Sequence, residues 1–152
     1  MRRSGTRGFT LLELMIVLVV IAIIVAFALP SLLEQVRKSK RSEAVRVLGE
    51  FQLREERWRA ENPAYGTLDD LTGSATASTN FNSSLNNYTV SVSGNTGSAY
   101  VITATRKNDL ATDPKCANFV MRYGSTCDGT ATSGVISQCM SDNKNVAYCW
   151  RK

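Results

Sequence analysis

Residues 9–29, FTLLELMIVLVVIAIIVAFAL, form an apolar run of 21 residues broken by a single charge, Glu13. As an α-helix at ~1.5 Å per residue the run would be about 31 Å long, the thickness of a bilayer's hydrocarbon core. A lone segment in lipid satisfies its backbone N–H and C=O groups only as a helix, so the length and the apolarity together dictate the local fold. Glu13 is the anomaly, because a carboxylate within a membrane helix costs about 2.5 kcal/mol or more. Arg2, Arg3 and Arg7 precede the run. A short positive flank predicts that this end stays cytoplasmic and that the rest of the chain lies outside.

The remaining composition narrows the function classes. A chain of 152 residues has room for one domain and an appendage. The formal charge is +5, but three of the 18 basic residues lie before the apolar run, and the rest of the chain is only mildly basic. Nucleic acid is not the default partner of such a surface, which would want a dense basic patch. There is no histidine, nucleophile motif or phosphate loop, so neither an enzyme nor a cofactor is expected. Cys116, Cys127, Cys139 and Cys149 contain no C-x-x-C spacing and have no histidine to complete a mixed site, so no metal is expected either. An even cysteine count behind an export-type N-terminus reads as two disulfides in an oxidising compartment; four cysteines allow three pairings, and spacing does not choose among them.

Three readings of the N-terminal segment compete. Ala26–Ala28 reads AFA, an A-x-A signal-peptidase pattern, but the run is longer than a signal-peptide core and carries a carboxylate. A plain single-span anchor leaves Glu13 without a purpose. The third reading rests on the string RGFTLLE, a short basic leader ending in glycine, then phenylalanine, with glutamate as the fifth residue counted from that phenylalanine. This string closely resembles the class III leader of type IV prepilins. The resemblance implies cleavage by prepilin peptidase after Gly8, methylation of the new amine at Phe9, and pairing of Glu13 with an N-terminal amine in an assembled filament. A buried pair of that kind costs far less than two isolated buried charges, and it sets the register of one helix against the next.

Pro30 removes a helix hydrogen bond and presses its ring on the carbonyl of residue 26. The sequence after it continues helically, so a kink rather than a stop is expected. By resemblance to pilins, Pro30 belongs to a softened assembly segment over 25–30. Beyond it, Leu33, Val36, Ala44, Val47, Leu48, Phe51 and Trp58 mark one helical stripe opposite a charged face. That face reads as solvated, with i,i+4 pairs Glu50–Arg54 and Glu55–Arg59, and with part of the Arg37–Arg41 cluster meeting lipid headgroups. Pro63 should end the helix near Asn62.

Residues 63–86 are rich in Gly, Ser, Thr and Asn and read as a connecting loop, within which Asp69 and Asp70 suit a helix start or a turn. Within it, YGTLDDL resembles the pilin segment that joins helix to sheet. NYTVSVS alternates as a half-buried strand; GNTG then turns into a second, AYVITATRK, making a hairpin. NFVMRYG reads as a third strand and NVAYCW as a weaker fourth. Periodicity therefore predicts an α+β fold, a long helix laid on an antiparallel sheet of three to four strands.

The pilin resemblance adds the ladle outline and five regions: leader 1–8, filament-core helix 9–30, amphipathic helix 31–62, connecting loop 63–86, and sheet with disulfide-bonded C-terminal region 87–152. The CWRK ending resembles that of PilE-like minor pilins, and this likeness implies the pairs Cys116–Cys149 and Cys127–Cys139. It also implies a structural subunit of a type IV pilus, held in the inner membrane and then assembled into an extracellular filament serving twitching and adhesion. Its expected partners are other pilin subunits, the prepilin peptidase, an inner-membrane assembly platform and lipid. Two alternatives share this N-terminus: a pseudopilin of a type II secretion system, and a DNA-binding pilin using Arg106, Lys107, Lys115, Arg122, Lys144, Arg151 and Lys152. For those scattered basic residues, plain solubility is the competing explanation.

Overall fold

A computed structural model describes residues 9–151. The elements in order are α1 (Leu11–Glu61), α2 (Leu68–Thr72), α3 (Ala75–Ser84), β1 (Tyr88–Ser93), β2 (Tyr100–Arg106), a 3-10 turn (Asn108–Thr112), β3 (Phe119–Ser125), β4 (Ala131–Met140) and α4 (Val146–Cys149). The chain divides into two compact units, one ending at Val36 and one beginning at Arg37. Helix α1 contributes to both and continues through Pro30 without interruption.

In the second unit the four strands form an antiparallel sheet in the order β1-β2-β3-β4. Its register follows the period-two pattern: Val90 opposes Ala104, Ile102 opposes Met121 and Phe119 opposes Met140. These residues, with Tyr88 and Tyr100, line the buried face, while Thr89, Ser91 and Thr105 face solvent. Ala44, Val47, Leu48 and Phe51, spaced three and four apart, belong to the same core. Leu33, Val36 and Trp58, expected on that stripe, are not part of it: the first two are exposed and Trp58 is half-buried.

The fourth strand corrects the sequence reading. NVAYCW is not a strand; Val146–Cys149 is a single helical turn, and the fourth strand is Ala131–Met140. Its sequence, ATSGVISQCM, lacks clean alternation, and Gly134 takes φ +72°. Pairing with β3 supplies what local pattern does not. The β3–β4 register shifts between Tyr123 and Ser125. Gly124 at that bulge has φ +76°, and a Cβ there would run into the Ser98 carbonyl.

The segment over 63–86 likewise holds two helices where a loop was expected. Thr67 and Asp70 form a capping box at the start of α2, and Gly73 closes it in the left-handed conformation at φ +97°. Ser74 caps α3 by accepting from the Ala77 N–H at 3.1 Å. The weakly helical ATASTNFNSS is then anchored by Phe81, whose ring meets Phe51 edge-on at 5.1 Å. From α3, Asn82 accepts from the Val90 N–H at 2.7 Å and donates to the Val90 carbonyl at 3.0 Å. Its amide thereby stands in for a further strand along β1.

Two disulfides close the C-terminal region. Cys116 bonds Cys149, with Cα atoms 5.8 Å apart, and Cys127 bonds Cys139, with Cα atoms 5.5 Å apart. The first ties α4 to the segment entering β3. The second ties the β3–β4 connection to β4. Between them Trp150 is buried, donates from Nε1 to the Cys139 carbonyl at 3.1 Å, and packs on Phe119.

Candidate functional site

Two features carry chemistry, the apolar start of α1 and the polar ties of the second unit. Thr10 opens the helix, its Oγ1 accepting from the Glu13 N–H at 3.2 Å. Glu13 thus lies in the first turn, where the helix dipole favours a negative charge. Phe9 stands just before it, 78% exposed. Of the two processing residues read from the sequence, Gly8 lies outside the described residues. From Phe9 to Val36 the large apolar side chains are exposed. At Pro30 the neighbouring Ser31 hydroxyl donates to the Ala28 carbonyl at 2.9 Å.

The second unit is tied by an ion pair whose arginine the sequence reading placed on the charged face of the helix. Arg41, expected toward lipid headgroups, is buried. Its Nε donates to Asp113 Oδ2 at 2.8 Å and its Nη2 to Oδ1 at 2.9 Å; the two side chains are 4% and 1% exposed. Burial alone would raise the Asp113 carboxyl. The Arg41 hydrogen bonds, the Lys115 and Cys116 N–H groups and the Arg41 charge outweigh it and hold the group below its ordinary range. Lys40 pairs with Asp109 at 2.7 Å, one residue along. Both carboxylates come from the 3-10 segment and its exit, so this short turn fastens α1 to the sheet at two points. Glu43 accepts from the Asn86 and Asn87 N–H groups at 3.0 and 3.1 Å, fixing the entry to β1.

The helix phase held the signal for one of these ties. Steps of three and four from Ala44 lead back to Arg41, and steps of four from Phe51 lead on to Glu55. Both ends of the buried stripe are therefore charged. Glu55 is 0% exposed and accepts from the Gly66 N–H at 2.8 Å, in place of the expected surface pair with Arg59. Arg59 instead donates to the Asn62 and Gly97 carbonyls. Glu50–Arg54 is present at 2.6 Å.

Several of the basic candidates for surface contact are engaged with the protein's own backbone. Arg106 Nη1 donates to the Asp113 and Cys116 carbonyls at 2.9 and 2.7 Å, which makes it a brace of the ion-pair region. Lys107 donates to the Asn82 carbonyl at 3.1 Å. Arg122 lies half-buried on β3 opposite Ser137, and the Lys115 ammonium stands 5.4 Å from the Tyr148 ring centre. Lys144 and Arg151 are exposed. Lys152 lies outside the described residues.

A long N-terminal helix, a four-stranded antiparallel sheet and a disulfide-closed C-terminal region together define the pilin fold. Family models agree. One described as "Type IV minor pilin ComP, DNA uptake sequence receptor" matches residues 30–120, and one described as "Prokaryotic N-terminal methylation motif" matches residues 3–29. Fimbrial protein EcpC of Eikenella corrodens is 33% identical over 155 residues, covering 97% of this chain and 90% of that protein. Type II secretion system core protein G of Klebsiella michiganensis is 32% identical over 69 residues, covering 45% of this chain and 49% of that protein. No solved structure matches. The chain belongs to the type IV pilin family, and the model that matches most of it is one of minor pilins.

Proposed function

We propose that the chain is a structural subunit of a type IV pilus. Prepilin peptidase cuts after Gly8, the amine of Phe9 is methylated, and the subunit waits in the inner membrane with its N-terminus cytoplasmic. An assembly platform then extracts it, and the apolar helix packs among those of other pilin subunits, with Glu13 paired to an N-terminal amine and Pro30 in the adaptable stretch. The observation that carries this reading is the exposed apolar surface of α1 with one carboxylate in its first turn. Lipid covers such a surface, and so does a bundle of like helices, but only the bundle gives Glu13 a cation. The fimbrial relative aligns over 97% of the chain and the secretion protein over 45%, which favours the pilus over a secretion pseudopilus. The mass of the mature N-terminal peptide tests the reading: an N-methylated Phe9 is expected, and a terminus at Leu29 overturns it.

A second reading, DNA binding, is favoured by the description of the matching family model. Lys144 and Arg151 are exposed members of the sequence set, able to meet phosphates. Binding of duplex DNA by the full chain in micelles should weaken steeply with salt and fall in a Lys144→Ala/Arg151→Ala variant. Retention indifferent to salt and to both substitutions would remove this reading.

A further inference from the structure

Glu55 takes no part in the filament reading, and its surroundings are unusual for a carboxylate. It is 0% exposed on α1, at the corner where the chain leaves that helix for α2. Oε2 accepts from the Gly66 N–H at 2.8 Å, while Oε1 is buried without a partner among the described residues. The corner itself is tightly held. Asn95 donates to the Gly66 carbonyl, and the Tyr65 N–H donates to the Thr96 carbonyl at 3.0 Å. A Cβ on Gly66 would lie 3.1 Å from Leu71 and 3.2 Å from Trp58, so any larger residue would have to push those side chains aside by a few tenths of an ångström.

Among the described residues, the charged and titratable groups around Glu55 offer it no cation. On α1, Glu56 is a second negative charge, Arg59 is directed at the Asn62 and Gly97 carbonyls, and Arg54 at Glu50 and the Leu71 carbonyl. From α2 comes Asp70, again negative. The loop, β2 and β3 contribute the phenols of Tyr65, Tyr100 and Tyr123, packed on one another, with the Tyr100 hydroxyl itself buried and unpartnered. An ionised Glu55 would be a desolvated anion with one N–H donor and two anionic neighbours, whereas a proton on Oε1 removes the charge and leaves the Gly66 bond intact.

We propose that Glu55 is a proton-operated latch: neutral, it clamps the Tyr65–Gly66 backbone onto α1; ionised, it holds its seat far more weakly, and the corner between α1 and α2 opens more often. Burial first, then Glu56 and Asp70, raise the carboxyl from its ordinary 4.5 to about 7, against the opposing pull of the Gly66 N–H. The seated form is therefore fully favoured below pH 4.5, loses ground as pH rises, and reaches its floor above about 7. Between these limits the seated-to-free ratio falls tenfold per pH unit, roughly 300-fold in all. The latch does not depend on the filament reading.

The test uses the full chain in detergent micelles. The Glu55 side-chain carbon resonance should titrate near pH 7, and the Gly66 amide should lose hydrogen-exchange protection about tenfold per pH unit between 5 and 7, after correction for intrinsic exchange. Glu55→Gln keeps an acceptor for Gly66 and should flatten that profile. A Glu55 midpoint near 4.5, a Gly66 amide indifferent to pH, or the same slope in Glu55→Gln overturns the proposal. If the variant does not fold, the carboxyl titration of the unaltered protein decides alone.

Discussion

Helix α1 is one continuous element with two unlike ends. Up to Val36 its large apolar side chains are exposed. From Arg37 onward Ala44, Val47, Leu48 and Phe51 are withdrawn into a core with the sheet, and several polar side chains are tied to other elements: Arg41 to Asp113, Lys40 to Asp109, Glu43 to two backbone N–H groups, Glu55 to the Gly66 N–H. The same backbone geometry thus serves two solvents. In the first stretch the helix satisfies its own backbone, and the cover for its side chains has to come from outside the chain. In the second the cover is internal, so the side chains select a single arrangement of sheet, short helices and disulfides. Stability of the second unit should accordingly be insensitive to changes in the first, while incorporation into a filament should respond to both.

The most damaging way to break this contrast is to strip Arg41. Arg41→Ala leaves the buried Asp113 without its counter-charge and should cost about 3–5 kcal/mol in denaturant unfolding of the full chain in micelles; a loss below about 1 kcal/mol would show the pair to be dispensable. The same pair predicts an acid limit. Because the Asp113 carboxyl is held below its ordinary 3.8, its stabilisation is present above that pH and lost as pH falls through the lowered value; Asp113→Asn should abolish this part of the acid slope.

Next in size are the bridges. Replacing Cys116 and Cys149 by serine opens the longer loop, with a sequence separation of 33, and should cost about 4 kcal/mol by loop entropy; replacing Cys127 and Cys139, separation 12, should cost about 3. Melting temperatures of the two double variants would rank them, and the reverse order would mean that strain or residual unfolded structure outweighs loop length. Asn82→Ala strips the cover from the β1 edge and should cost about 1–2 kcal/mol, seen as faster hydrogen exchange at the Val90 amide. Glu13→Val sharpens the comparison from the other side. It should shift the unfolding of the second unit by no more than about 0.5 kcal/mol, yet abolish recovery of the subunit in sheared pili. A large loss of folding stability would show the two regions to be coupled.

What was legible in the chain came from periodicity. The apolar run, the stripe Ala44–Val47–Leu48–Phe51, and the strands at Tyr88, Tyr100 and Phe119 all show in local pattern. What escaped is explained by tertiary contact. The fourth strand is a weak alternator held by its register with β3, and NVAYCW, which looks like a strand, is instead a helical turn whose Cys149 is bonded to Cys116. Helix α3 is poor in helix formers and owes its place to the Ser74 cap and to Phe81 against Phe51. Arg41 and Glu55 looked like surface charges because their residue type was weighed above their helical phase. On phase alone both belong to the buried stripe, and buried charged residues at its two ends are a signal to look for partners.

By itself, then, the sequence determined the elements whose side chains repeat with the period of the backbone: the long helix, its membrane-length first part, and three strands of an α+β fold. The tertiary structure decided the rest. It chose which charges are buried and with whom, which segment completes the sheet, and how four cysteines meet in two bridges. The reason is physical. Periodicity is a property of neighbours along the chain, whereas Arg41 finds Asp113 across 72 residues, and nothing local to either marks the other until the fold brings them together.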